Sequence, residues 1–120
     1  MSYKLVLEAD HIYVQYLGDV DPLDIIHVTS DPDFITPFRQ LEAVIHDFSK
    51  ANSVNIGLDE IREIAVLSKL ESNFTEQLKG IVIPFDMNDT TRVEALKKAI
   101  ETHKWDIHIV ENLGAALALL

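Results

Sequence analysis

A chain of 120 residues that is 48% hydrophobic suffices for one domain around one core, at the usual scale of roughly 100–150 residues per domain. Twenty acids against ten bases give a net charge of −10, which argues against nucleic-acid partners, because phosphate backbones require clustered Lys and Arg. With no cysteine there is no disulfide, thiolate metal site or cysteine nucleophile, and no apolar run approaches the roughly 20 residues of a membrane-spanning helix.

The start, "MSYKLVLEAD", lacks the basic-then-apolar pattern of a leader, so the cytoplasm is the expected location. "YKLVLE" (3–8) and "HIYVQYL" (11–17) alternate with period two and are separated only by Ala9 and Asp10, which predicts a hairpin. In "DPLDIIHVTSDP", Asp21 can cap, Pro22 suits the first helical position and Pro32 blocks continuation. A short helix follows, with Leu23, Ile26 and Ile25 as its inward candidates. "DFITPFRQLE" (33–42) contains Pro37 and reads as irregular. "AVIHDF" (43–48) is a short strand. A polar loop leads to a helix over 57–71, with Leu58, Ile61, Ile64 or Ala65, and Ser68 on one stripe and a capping-box spacing between Gly57 and Glu60. "KGIVIPF" (79–85) is a strand closed by Pro84. "DTTRVEALKKAIETH" (89–103) is a helix capped by Asn88 or Asp89, with Val93, Leu96, Ala99 and Ile100 on one face. "DIHIVE" (106–111) is the last strand. Asn112 caps a final short helix whose Leu113, Ala116, Leu117 and Leu120 face the core. Alternating strands and helices imply a mixed five-stranded α/β sheet, an antiparallel hairpin followed by β-α units, with about four helices in a single domain.

Catalytic constellations fail on geometry. His46, Asp47 and Ser49 suggest a hydrolase trio, but neighbouring strand residues point to opposite faces and no Gly-x-Ser-x-Gly elbow exists. The alternative is that His46 packs partly buried while Asp47 holds its own loop. Five histidines show no metal-ligand spacing, and four glycines form no phosphate-binding pattern. No cofactor is expected. Asp47 ends a strand where receiver domains carry their phosphoacceptor, yet the acidic pair and the lysine of that chemistry are missing. Asp19, Asp21, Asp24, Asp31 and Asp33 make either a docking face for a basic partner or a solvated surface.

"VIHDFSKANSVNIGLDEI" (44–61), a strand ending in Asp followed by a polar loop and a Gly-Leu helix start, resembles the STAS domains of anti-sigma factor antagonists. With Gly18, "GIVIPFD" (80–86), Arg92, Glu94 and "ENLGAALALL" (111–120), nearly the whole chain resembles the small bacterial SpoIIAA-like (STAS/SEC14-like) family. Aligned on Gly57 and Leu58, Ile56 stands where the antagonists carry their phosphorylated serine, and isoleucine cannot accept phosphate. The resemblance implies a non-enzymatic binding or regulatory module that contacts a protein partner or a small apolar, lipid-like ligand. The candidate contact residues are Asp47, Ser49, Asn52, Ser53, Asn55, Ile56, Gly57 and Leu58. Ile56 either forms an exposed contact with Leu58 or staples the helix start to the core. The alternative function is a phosphoryl-accepting signalling protein modified at Ser49 or Asp47. The oligomeric state, a homodimer included, stays open.

Overall fold

The computed structural model describes the chain at residues 3–41, 43–71, 78–100 and 105–120, the side chains at 39 and 67–71 excepted. In chain order the elements are β1 (Tyr3–Leu7), β2 (Ile12–Tyr16), β3 (Gly18–Val20), α1 (Pro22–Ser30), α2 (Pro32–Leu41) and β4 (Ala43–Asp47). There follow β5 (Ala51–Val54), α3 (Leu58–Glu71), β6 (Leu78–Ile83), α4 (Thr91–Ile100), β7 (Trp105–Ile109) and α5 (Leu113–Leu117).

The alternating N-terminal segments pair antiparallel, Leu5 opposite Val14 and Tyr3 opposite Tyr16. β4, β6 and β7 then add in parallel, so the five-stranded mixed sheet has the order β1-β2-β4-β6-β7. Because the parallel strands succeed one another in space as they do in sequence, right-handed crossovers deposit every intervening helix on the same face. That face carries Ile12, Val14, Tyr16, Val44 and Leu78, packed under Ile25 and Val28 of α1, Phe34 and Phe38 of α2, and Ile61 and Ile64 of α3. Each large apolar side chain so buried contributes about 1.5–3 kcal/mol. On the opposite face Ile45, Ile81 and Ile83 are covered by Ala116 of α5 and by Leu119 beyond it.

Several expectations need correction. The segment expected to be irregular (33–42) is helical through Leu41, its last residue lying outside the described residues: Phe34, Ile35, Phe38 and Leu41 recur at helical spacing and pack on the core despite Pro37. Pro32 therefore opens α2 instead of only ending α1, and the described residues form five helices. In α1 the capping box on Asp21 and Asp24 forms, but the buried residues are Ile25 and Val28, whereas Leu23 is exposed. In α3 Ile61, Ile64 and Ala65 are buried and Leu58 is exposed, while the Ser68 side chain lies outside the described residues. α4 begins at Thr91, its Ala99 is exposed, and the expected continuation over 101–103 lies outside the described residues. Asn112 does cap α5, its Oδ1 accepting from Ala115 N at 2.8 Å, but Leu113, Leu117 and Leu120 stay exposed and Ala116 does the packing.

The loop after Asp47 is not wholly irregular either. β5 pairs in parallel with β3 as a separate two-stranded sheet. Gly18 makes the corner from β2 into β3 with φ of +68°, beside a register shift between Gly18 and Asp19. Only glycine adopts that conformation without steric cost.

Candidate functional site: an apolar cavity under the helices

Strand alternation places Tyr16, His46, Val82 and Ile107 on the helix-covered face, where they floor a cavity of about 410 Å³. Ile61 and Ile64 of α3, with Leu96 and Ile100 of α4, form the opposite wall. Ile25 and Thr29 of α1 close one side, and β5, Phe85, Asp86, Asp89 and Arg92 form the rim. The lining is chiefly apolar, with a few polar groups at the floor and rim. Gly80 leaves the floor bare at β6: a Cβ there would lie 2.8 Å from Ile107 Cδ1 and 3.2 Å from Trp105 Cζ3. The Trp105 ring thus rests against backbone, and it also stacks on Phe38 with centroids 5.7 Å apart.

The floor has one polar pair. The Tyr16 hydroxyl and His46 Nδ1 are hydrogen-bonded at 2.9 Å, and Phe48 stacks on the Tyr16 ring with centroids 4.2 Å apart. Burial pushes the His46 imidazole down from 6.5 to about 4, so the ring is neutral near pH 7. Its Nε2 makes no hydrogen bond among the described residues. At the rim, Arg92 Nε donates to the Ile56 carbonyl at 2.5 Å, joining the start of α4 to the start of α3.

Asp47 faces the other way. It is buried, Oδ1 accepting from Ser49 N at 2.9 Å and from Ser49 Oγ at 2.6 Å, while Tyr13 Oη donates to Oδ2 at 2.5 Å. Burial, and then the hydrogen bond to this carboxylate, raise the Tyr13 phenol to about 12.

The structure therefore divides the residues singled out in the sequence. Asn52, Ser53 and Ile56 line the cavity. Ile56 is buried in the core cluster, the second of its two readings, so there is no exposed Ile56–Leu58 contact. Asp47 and Ser49 lie on the opposite side of the sheet, separated from His46 as strand alternation requires. Asn55 is exposed, its N–H donating to Val20 O at 2.7 Å and its side chain to Ser53 Oγ at 3.0 Å. Gly57 opens α3, with its N–H donating to Glu60 Oε1 at 2.9 Å, and Leu58 points to solvent. Tyr16, Val82 and Arg92 were not singled out as contact residues. The available signal was period-two alternation, which places Tyr16, His46 and Val82 on one face.

Among the described residues no group of three or more His, Asp or Glu is placed to hold a metal ion, and no helix is long and apolar enough to cross a membrane. No protein-family model matches this chain, and no curated protein does.

Proposed function

We propose that this chain is a SpoIIAA-like (STAS/SEC14-like) binding module that takes a small apolar ligand into the cavity between its sheet and helices. One observation carries the reading: the core holds an accessible, mainly apolar volume of about 410 Å³ where protein interiors otherwise pack without voids. That volume falls within the roughly 300–1,000 Å³ typical of small-molecule sites, which are apolar with a few placed polar groups. Each methylene moved from water into such a space gains about 0.8 kcal/mol. The kinship is supported by the hairpin, the parallel strands added in chain order and the Gly57–Leu58 helix start. The non-enzymatic part of the reading goes with the hydrogen bond between His46 and Tyr16, which engages the imidazole Nδ1 with a phenol instead of a carboxylate. The phosphoryl-accepting alternative has less support, because both Asp47 oxygens are already engaged by Tyr13 and Ser49.

The test combines native mass spectrometry with dye binding. Protein purified without denaturation is expected to carry an apolar adduct, or to bind a fluorescent anilinonaphthalene dye saturably. Val82→Phe, which places a ring in the cavity, is expected to weaken that binding about tenfold or more. A bare protein that binds no dye, or a Val82→Phe variant that binds as well as wild type, would refute the reading.

A further inference from the structure

Arg92 is the only Lys or Arg among the described residues that lines the cavity. Its Nε is committed to the Ile56 carbonyl, which anchors the guanidinium at the rim. Its two terminal amino groups have no hydrogen-bond or ion-pair partner among the described residues. An unpaired guanidinium is conspicuous in a chain with 20 acids and 10 bases, and more so because Asp86 and Asp89 line the same rim. Those two carboxylates are used locally: Asp86 Oδ1 accepts from Asn88 N at 2.9 Å, and Asp89 Oδ1 from Thr91 N at 3.4 Å. Arg92 also sits in the first turn of α4, whose dipole adds to its positive potential.

We propose that the ligand is a single-chain carboxylic acid, its carboxylate held by the free edge of Arg92 and its aliphatic chain laid over the cavity floor toward His46. This rests on the reading that the cavity takes an apolar ligand. The two free amino groups of a guanidinium match the two oxygens of a carboxylate and form paired, charge-assisted hydrogen bonds. One cation beside two acids favours a monoanion over a dianionic phosphate, because the rim acids repel the second negative charge. The volume of about 410 Å³ lies low in the range of small-molecule sites and suits one chain, not two. At the far end the neutral His46–Tyr16 pair offers no second cation, so the tail terminus is uncharged.

Calorimetric titration of the delipidated full chain with dodecanoate, dodecanol and dodecyl phosphate tests this at low salt. Dodecanoate is expected to bind about ten- to a hundredfold more tightly than dodecanol, the scale of a charge-assisted hydrogen bond. Arg92→Met should abolish that preference, read as the ratio of dodecanoate to dodecanol affinity within the variant, with an unchanged circular dichroism spectrum reporting a preserved fold. Arg92→Lys, which keeps the charge but loses the fork, should retain part of the preference. Asp89→Asn should raise the preference for dodecanoate over dodecanol. Equal binding of acid and alcohol, a preference that survives Arg92→Met, or dodecyl phosphate binding best would each overturn the acid-head assignment while leaving the apolar cavity reading standing. Failure of all three probes to bind would overturn both.

Discussion

The most discriminating stability prediction concerns His46. Its imidazole titrates at about 4 in the folded chain, against 6.5 in an unfolded one, because burial disfavours the charged form. Above 6.5 the ring is neutral in both states and costs nothing. As the pH falls from 6.5 toward 4, the unfolded chain binds a proton that the folded chain refuses, so stability is lost across that window. At about 1.4 kcal/mol for each pH unit between the two values, the full loss is about 3–4 kcal/mol, a large part of the roughly 5–15 kcal/mol that holds a domain. His46→Gln keeps a polar partner for the Tyr16 hydroxyl and removes the titration. Urea unfolding of both proteins, repeated from about pH 7 to about pH 4, isolates the contribution of this ring as the difference between the two curves. The difference should be flat near neutrality and should move by about 3 kcal/mol against the wild type by about pH 4. Curves that stay parallel throughout would refute the account of a ring held neutral by burial.

Gly18→Ala should destabilise by about 1–2 kcal/mol in chemical denaturation, the backbone cost of a Cβ at positive φ, since a Cβ there meets nothing within 4 Å. No change would show that the corner relaxes to an ordinary conformation. Tyr13→Phe should cost about 1.5–3 kcal/mol by removing a donor from a buried carboxylate. A loss under about 0.5 kcal/mol would mean that the two donors from Ser49 satisfy Asp47 without it.

What the sequence disclosed depended on period. Ile12, Val14 and Tyr16 alternate cleanly, and Asn112 stands directly before an apolar run, so β2 and α5 were legible as elements. α2 was misread because Pro37 outweighed the Phe34–Phe38–Leu41 spacing, although the missing N–H breaks one hydrogen bond while two buried phenyl rings hold the helix to the sheet. β3 and β5 are too short and polar to show a period, and they exist because each supplies the partner of the other. In α5 the small Ala116, not the leucines around it, makes the closest approach, which composition alone does not indicate. The cavity was least visible of all. An empty volume leaves no residue pattern, and it depends on a register that sets Gly80 against Ile107 under helices whose crossing distances only the folded chain fixes.

The small β3–β5 ribbon has a mechanical consequence. Its lacing, reinforced by Ser53 Oγ donating to Asp19 Oδ1 at 2.8 Å, makes one jaw of the mouth continuous with the corner that leads into α1. The opposing jaw, formed by α4 and the turn before it, belongs to no strand pairing and is clasped to the first jaw through the Arg92 side chain. The two sides of the mouth are thus held differently, one by paired strands and the other by packing of α4 on α3 and a side-chain hydrogen bond.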